Sequence, residues 1–265
     1  DASISYQLTF SETVSNIDMA DFSLNSTGTA AGTASAVSAS SGGSVTVTVN
    51  NISGTGSLRL DHVSSNIVDA AGNALAAYNS APVHQVDRDR PVITSVIFDQ
   101  NSIDATNENS ASFTLTGAET ATTANYSIIS SSGGTPVTGS VAVTNAGQTI
   151  SGVNLSSLGD GTLTLSLTLT DAAGNVSTPA VIATTLKDSQ IPQLSQISVA
   201  NGNYKAGQVL TFTVTFNDTV VVTGTDSTLA IMLGSTSRQA TFISSNGSSL
   251  TYSYTVQAGD NTDQD

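Results

Sequence analysis

The chain has 265 residues and a formal net charge of -14, from 20 acidic and 6 basic side chains. A surface this acidic repels the phosphates of nucleic acids and of anionic lipids, so we expect no nucleic-acid partner and no membrane insertion. The chain has no cysteine and no tryptophan, and only 5% of its residues are aromatic. A disulfide-stapled fold is therefore excluded, and the expected cores are thin.

Strands with one apolar face are predicted along the whole chain. Apolar residues alternate with small polar ones in residues 4–10, 162–169, 209–216 and 250–256. Alternation with a period of two places the apolar side chains on one face of a strand. Glycine, asparagine, aspartate and serine separate these segments, as in turns. The pattern predicts an all-β fold of antiparallel β-sandwiches, in which each strand buries one face.

Internal repeats set the predicted number of domains. The motif Asp-Ala-Ala-Gly-Asn at residues 69–73 returns at residues 171–175, and the acidic linker ending at Pro91 returns at Pro192. Both intervals are about 100 residues, the usual size of an immunoglobulin-like domain. A further match joins residues 8–14 to residues 214–220. The repeats predict tandem immunoglobulin-like, Greek-key sandwiches in an elongated array.

We place the three predicted domains at residues 1–90, 91–190 and 191–265. The first opens directly on a strand that resembles the second (B) strand of the third domain, so we expect it to lack its first (A) strand. The central domain is expected to be complete, and the third to lack its last (G) strand. Sandwiches that lack a strand leave unpaired sheet edges, which invite strand exchange.

Five segments resemble the bacterial immunoglobulin-like repeats of very large surface adhesins and other repetitive secreted proteins, including RTX-type exports. They read LTFSETV, IVDAAGNALA, LGDGTLTLSLTLTDAAGNVS, NYKAGQVLTFTVTFNDTV and YTVQAGDNTDQD. The resemblance implies that the chain extends a longer protein and that calcium ions rigidify the joints between repeats. The first linker departs from the usual pattern, because Arg88 and Arg90 alternate with its two aspartates and are expected to satisfy part of their charge.

Calcium binds six to eight oxygen ligands from carboxylates, amides and backbone carbonyls. In a sandwich, the loop between the F and G strands lies at the end where the chain enters the domain. We therefore expect Asp171 and Asn175 to lie beside Asp87 and Asp89 of the preceding linker and to share a calcium ion with them. The same motif is also a good tight turn, which is the alternative explanation.

By the same topology, Asp260 and Asp263, with Asp265, are expected to face Asp188 in the second linker and to bind a second calcium ion. Asp99 and Asp104 are weaker candidates for the first joint. Three further acidic or amide residues are expected to form turns rather than calcium sites: Asp69, Asn73 and Asp160.

Catalytic chemistry is not predicted. His62 and His84 lie in separate segments without a serine elbow or a metal-binding spacing, and we expect them at the surface or at a strand edge. A covalent lysine crosslink requires a buried lysine beside a carboxyl group. Lys187 and Lys205 both lie outside strongly apolar strands, so we expect both to be exposed.

The sequence therefore predicts a non-enzymatic extender segment of a secreted or surface-bound bacterial adhesin. Its expected partners are the neighbouring repeats of the same chain, with a host or surface receptor bound elsewhere in the parent protein. The alternative is a recognition module that binds a glycan or a protein receptor through loops at one end of a sandwich.

Overall fold

A computed structural model describes residues 3–63, 66–224 and 226–260. In these residues the regular structure is β-strand, apart from one 3-10 turn at Met19–Asp21. The predicted all-β class is therefore confirmed. Among the described residues, no helix has the length and apolar character needed to cross a membrane.

The central unit is a two-sheet sandwich. One sheet has the order β11-β10-β13-β14-β8 and the other has the order β12-β9-β7. In the usual strand letters, β7 is A, β9 is B, β10 is C, β12 is E, β13 is F and β14 is G, and the short β8 pairs in parallel with β14. This is an immunoglobulin-like arrangement. The strands are β7 (Ser95–Phe98), β8 (Ser102–Ile103), β9 (Ala111–Thr116), β10 (Thr122–Ser130), β11 (Val137–Val143), β12 (Thr149–Val153), β13 (Gly161–Thr170) and β14 (Val181–Lys187).

The core of the central unit lies between its two sheets. In β13, Leu163, Leu165, Leu167 and Leu169 are fully buried, whereas the residues between them are partly exposed. From the facing sheet, Phe113 is also fully buried in the same cluster. The alternation predicted from the sequence is confirmed here, because every second side chain of β13 enters the core.

The first unit is a smaller sandwich of two three-stranded sheets, β1-β4-β3 and β2-β5-β6. Its β1 pairs with β4 as the B strand of the central unit pairs with the E strand. On its other side, β1 ends the sheet in the described part of the chain. The strands are β1 (Ile4–Ser15), β2 (Phe22–Gly28), β3 (Ala31–Val37), β4 (Ser41–Ser53), β5 (Gly56–His62) and β6 (His84–Val86).

The third unit forms a single five-stranded sheet with the order β15-β16-β19-β18-β17 in its described residues. The expectation that this unit lacks only its last (G) strand would make the strand at residues 250–256 its F strand. Instead, β19 pairs with β16 as the E strand pairs with the B strand in the central unit, so β19 is an E strand. The strands are β15 (Leu194–Val199), β16 (Val209–Phe216), β17 (Thr228–Leu233), β18 (Thr236–Asn246) and β19 (Ser249–Thr255).

Each unit has its own cluster of buried apolar side chains, and the three clusters share no residue. The clusters run from Tyr6 to Val86, from Val96 to Leu169 and from Leu210 to Val256. The domain boundaries predicted near residues 90 and 190 fall between them. Independent folding of the three units stays a prediction.

Truncating Leu165 to alanine should lower the free energy of unfolding of the central unit alone, by about 2–5 kcal/mol. Leu165 is 0% exposed in the middle of β13, so the substitution leaves a cavity between the two sheets. Calorimetry of the whole chain, with transitions assigned by hydrogen exchange, would measure the change.

The matched control is Leu186→Ala on β14 of the same unit, because Leu186 is 55% exposed and should shift the transition little. A Leu165→Ala chain whose first and third units lose stability equally would contradict independent units.

Candidate functional site

The two Asp-Ala-Ala-Gly-Asn motifs form the same closed turn. In the central unit, the Asp171 carboxylate accepts hydrogen bonds from the backbone N–H of Ala173 and Asn175, and the Asn175 side chain donates to it at 2.8 Å. The glycine at position 174 has a φ of 88°, which a side chain would strain. Asp69 and Asn73 repeat these contacts in the first unit. The predicted turn is confirmed in both.

One of these turns also reaches the preceding unit. The side-chain Nδ2 of Asn175 donates a hydrogen bond of 3.2 Å to the backbone oxygen of Asp87 in the first linker. The Asp87 carboxylate in turn accepts from the hydroxyl of Thr55 at 3.3 Å, and the Thr55 hydroxyl accepts from the backbone N–H groups of Arg88 and Asp89. The linker is thus fastened to the first unit and contacts the F–G loop of the central unit.

The electrostatics of this joint depend on Asp171. Hydrogen bonds from the Asn175 side chain, and then from backbone N–H groups of the turn, hold the pKa of Asp171 below its usual value. The carboxylate therefore stays charged near neutral pH. Its charge lies beside the backbone oxygen of Asp87 and the amide of Asn175, and Asp171 takes part in none of the described ion pairs.

The linker arginines do not have the role that the sequence predicted. Among the described residues, neither Arg88 nor Arg90 forms an ion pair with Asp87 or Asp89. The guanidinium of Arg90 instead donates to the hydroxyl of Thr178 in the loop that follows the Asp-Ala-Ala-Gly-Asn turn. Arg90 therefore forms a second contact between the linker and the central unit.

The oxygen atoms at the first joint are of the kinds that bind calcium, but they are few. A carboxylate oxygen of Asp171 and the backbone oxygen of Asp87 both lie at the Nδ2 group of Asn175. If the side-chain amide of Asn175 were rotated so that Oδ1 took the place of Nδ2, it would add a third oxygen. Calcium requires six to eight, so further ligands would have to come from Asp89 and water. The assignment of Asp87, Asp89, Asp171 and Asn175 as calcium ligands stays a prediction.

In the third unit, Asp260 already has a full set of hydrogen-bond donors. It forms an ion pair of 2.8 Å with Arg238 and accepts from the Tyr254 hydroxyl at 2.5 Å and from the backbone N–H of Gln257. The Tyr254 hydrogen bond, followed by the Gln257 and Arg238 contacts, lowers the pKa of Asp260. Its side chain is only 3% exposed. These residues fit calcium poorly, because the metal would have to displace a guanidinium group.

Asp188, the other described residue of the predicted second site, makes only local hydrogen bonds and one bond to the central unit. The Asp188 backbone donates to Ile103 of the central unit, and its carboxylate accepts from Gln190. Asp263 and Asp265 lie outside the described residues. Because β19 is an E strand, Asp260 does not lie in an F–G loop, on which the expectation that it faces Asp188 depended. The ligand assignment stays a prediction.

The weaker acidic candidates serve local structure. Asp99 accepts from the hydroxyl of Thr114 at 2.7 Å. Asp104 accepts from the side chain and backbone of Thr106, and these bonds lower its pKa. Among the described residues, no group of three or more histidine, cysteine, aspartate or glutamate side chains is placed to hold a metal ion.

Lys187 is buried, whereas the sequence predicted that it would be exposed. Its side chain is 2% exposed and forms ion pairs of 2.9 Å with both Glu108 and Asp160. Ser189 donates to the same oxygen of Asp160 at 2.8 Å. Asp160, predicted to be a turn former, therefore also fixes the end of β14. The sequence missed this cluster because its members are far apart in the chain.

The protonation of this cluster favours ions over a covalent crosslink. Burial by itself lowers the pKa of Lys187, but hydrogen bonds to Asp160 and Glu108 outweigh it and raise that pKa. Burial likewise raises the pKa of Asp160, but hydrogen bonds from Lys187 and Ser189 outweigh it and lower that pKa. Amide formation needs a neutral amine and a protonated acid, so the cluster acts as an ion pair.

His62 is buried, whereas the sequence predicted a surface or strand-edge position. The residue is 6% exposed and packs edge-on against Phe22, and neither ring nitrogen has a hydrogen-bond partner among the described residues. His84, at the edge strand β6, contacts the ring of Tyr6 at 5.1 Å, in agreement with the strand-edge prediction. The signal for burial of His62 was its place directly after the apolar alternation of β5, Leu58 and Leu60.

No protein-family model and no curated protein matches this chain. Among solved structures, a tetra-tandem repeat in the extending region of a large adhesion protein aligns over 97% of this chain and 60% of its own, at 18% identity and a TM-score of 0.36. Domains FN1–FN3 of chicken CNTN1 align over 96% of this chain and 84% of their own, at 10% identity and a TM-score of 0.28.

A putative membrane-anchored protein from Corynebacterium diphtheriae aligns over 97% of this chain and 76% of its own, at 13% identity and a TM-score of 0.28. The chain thus spans about 60% of the length of the tandem-repeat structure. At these identities and TM-scores, the fold assignment rests on the strand pairing of the chain itself.

Replacing Lys187 with methionine should lower the free energy of unfolding of the central unit by about 1.5–3 kcal/mol, because two carboxylates lose a charged hydrogen-bond donor. Lys205→Met is the matched control, since Lys205 is exposed and its side chain has no described contact. Urea denaturation at several pH values would measure both.

The pH dependence follows from the two pKa directions. The Asp160 contribution is present above the unfolded pKa of about 3.9 and is lost as the pH falls through the lower folded value. The Lys187 contribution is present below the unfolded pKa of about 10.4 and is lost as the pH rises through the higher folded value. Between pH 5 and pH 9, the free energies of unfolding of the parent chain and of Lys187→Met should therefore differ by a constant amount. A difference that grows over this range would contradict the assignment.

Proposed function

We propose that this chain is a structural extender segment of a bacterial extracellular adhesin. The supporting observation is the first joint, where the linker of one unit contacts the F–G loop of the next through Asp87 and Asn175. Such contacts restrict the angle between neighbouring units without any catalytic group. The recurring turn motif and the resemblance to adhesin repeats support the same role, as does the separation of three cores.

The contact at the joint transmits force along the backbone. Asp87 lies directly after β6, which pairs with β5 of the first unit, and Asn175 follows β13 of the central unit. A load on one unit therefore passes to the next through a linker that is bonded on both sides, at Thr55 and at Asn175. We propose that this bonding limits bending, so that repeats in series hold a binding region away from the cell.

The proposal includes a calcium ion at the first joint, held by Asp87, Asp89, Asp171 and Asn175. Calcium would cancel the repulsion between the acidic side chains and add ligand bonds across the joint. A second ion bound by Asp188, Asp260 and Asp263 is the weaker part of the proposal, because Asp260 already pairs with Arg238. The localisation that we propose is secreted or bound to the bacterial surface.

Substituting Asn175 with alanine should widen the range of angles between the first and central units. The substitution removes the hydrogen bond to Asp87 together with one bond inside the turn. Because the chain has no cysteine, spin labels at Ser26→Cys and Thr138→Cys can report the distance between the two units by pulsed electron resonance. The Asn175→Ala distance distribution should be broader than that of the parent chain.

Asn73→Ala is the matched control, because Asn73 makes the same turn bond to Asp69 without a described contact to another unit. Equal broadening in both variants would show that the turn, and not the contact with Asp87, sets the angle. Broadening in neither variant would overturn the proposed role of the joint.

Calcium should stabilise the chain and narrow the same distance distribution. At a concentration of 100 times its Kd, a bound ion adds about 2.7 kcal/mol to the free energy of unfolding. Calorimetric titration with calcium, with magnesium as a comparison, would give the stoichiometry. Asp171→Asn should abolish binding at the first joint, whereas Asp69→Asn, in the equivalent turn of the first unit, should leave it unchanged. If calcium changes neither the free energy of unfolding nor the distance distribution, only the metal-free form of the proposal remains.

A further inference from the structure

The first and central units have the same kind of loop at the end where the chain leaves them. In the first unit, β2, β5 and β6 pair in the same order as β10, β13 and β14 of the central unit. The loops ahead of β5 and β13 each hold one residue between two glycines, Thr55 and Asp160. In both units the second glycine pairs with the residue that ends the next strand: Gly56 with Val86, and Gly161 with Lys187. Each loop therefore lies beside the start of a linker.

Close packing against a neighbouring turn fixes both loops. Gly54 has a φ of 70° and Gly161 a φ of 151°, and a side chain would strain either. A Cβ atom at Gly54 would overlap the backbone oxygen of Thr29, in the turn after β2. A Cβ atom at Gly161 would lie 2.6 Å from the hydroxyl oxygen of Ser132, in the turn after β10. The residue between the glycines is thus held in place by its own unit.

The residue between the glycines binds the linker that leaves the unit. The hydroxyl of Thr55 accepts hydrogen bonds from the backbone N–H groups of Arg88 and Asp89 at 3.0 and 3.2 Å. In the central unit, Asp160 accepts a hydrogen bond of 2.8 Å from the hydroxyl of Ser189. Arg88 and Ser189 occupy equivalent places, because each is the second residue after the strand that ends its unit. We call these contacts of Thr55 and Asp160 the exit clamps.

The first aspartate of each linker closes the same turn. The backbone N–H of Asp89 donates to the carboxylate of Asp87 at 3.1 Å, and the backbone N–H of Gln190 donates to the carboxylate of Asp188 at 3.2 Å. Aspartate commonly forms such a turn with the backbone two residues further on. The turn and the exit clamp together fix the first linker as far as Asp89 and the second as far as Gln190.

A second clamp holds each linker where it enters the next unit. Val92 donates its backbone N–H to the carboxylate of Glu119 at 3.1 Å, and its backbone oxygen accepts from the Glu119 backbone at 2.9 Å. Gln193 makes the same two bonds with the side chain and backbone of Asn217, at 2.7 and 3.0 Å. Val92 and Gln193 each follow the linker proline directly. We call these contacts of Glu119 and Asn217 the entry clamps.

Two residues remain between the clamps of each linker: Arg90 and Pro91 in the first, and Ile191 and Pro192 in the second. Proline has a fixed φ and restricts the residue before it to extended conformations. We propose that each joint is a hinge of these two residues, and that the residue before the proline sets how far it bends. Arg90 is bonded to Thr178 of the central unit, whereas Ile191 is 70% exposed and takes part in no described hydrogen bond. The first hinge is therefore held and the second is free.

The hinges deepen the proposed extender role and rest on it, because the range of angles matters in units that act in series. They identify the residues that bend, and they make the two joints unequal. Their contacts involve neither Asn175 nor a metal ion. All measurements on them are therefore made in the presence of a chelator.

Arg90→Ile should free the first hinge. With spin labels at Ser26→Cys and Thr138→Cys, the distance distribution between the first and central units should broaden by about 1.4-fold, because the free part of the linker grows from one residue to two and its reach rises as the square root of its length. Arg88→Ile is the matched control, since it removes the same charge from the same linker and the Arg88 side chain has no described hydrogen bond or ion pair.

Equal broadening in Arg90→Ile and Arg88→Ile would assign the effect to the lost charge and refute the hinge. Broadening in neither variant would refute it as well. If Asn175→Ala broadens the distribution and Arg90→Ile does not, the extender proposal stands and the hinge fails; the reverse result would retain the hinge and reject the contact with Asp87.

The second joint should bend more than the first. Spin labels at Thr138→Cys and Ser244→Cys report the distance between the central and third units. Both joints are compared in an Asn175→Ala chain, which lacks the other contact at the first joint. The first distribution should still be narrower by about 1.4-fold, because Arg90 holds one of its two hinge residues. Equal widths, or a wider first distribution, would contradict the inequality of the two hinges.

Amide hydrogen exchange tests the clamps residue by residue. After correction for intrinsic rates, the N–H groups of Gln190 and Gln193, bonded to Asp188 and Asn217, should exchange at least about fivefold more slowly than that of Ile191. Asn217→Ala should speed exchange at Gln193 by a similar factor. Asn217→Asp, which keeps the oxygen acceptor, should leave it slow. Fast exchange at Gln193 in the parent chain, or no change in Asn217→Ala, would show that no clamp closes the second hinge, and the inference would then be wrong.

Discussion

The strands that build the cores have one apolar face that a second layer must cover, and the rest of the structure depends on that constraint. In the first and central units the cores are built mainly from leucine, valine and isoleucine, whereas the core of the third unit also contains Phe212, Tyr252 and Tyr254. Two facing sheets satisfy the constraint fully in the central unit, where four leucines of β13 are completely buried. The pairing of the strands therefore determines which apolar faces and strand edges can contact other units or chains.

Where the covering layer is incomplete, apolar groups remain accessible. In the first unit, the accessible face is the wall of a cavity along β1, with Leu8 and Phe10 only partly buried. In the third unit, the described residues form one sheet, and Leu194 and Ile197 of its edge strand are about half exposed. A strand edge without a neighbouring strand among the described residues leaves backbone groups and apolar side chains accessible.

Polar contacts then determine how the units are joined and how loops are held. The carboxylate of Asp171 accepts hydrogen bonds from within its own turn, and the amide of Asn175 donates both to that carboxylate and to the linker at the first joint. Elsewhere, charged side chains meet across long sequence separations. Lys187 joins Glu108 and Asp160 in the central unit, and Arg238 joins Asp260 in the third. These ion pairs hold together segments that are distant in the sequence.

The sequence by itself determined the all-β class, the alternating burial of strands such as β13, and the turn formed by Asp171 and Asn175. These features depend on local patterns, in which side-chain period and turn chemistry act within a few residues. Only the tertiary structure decided that β19 is an E strand and that Lys187 and His62 are buried. Each depends on which distant segment lies alongside, and a period of two specifies the apolar face of a strand without specifying its neighbour.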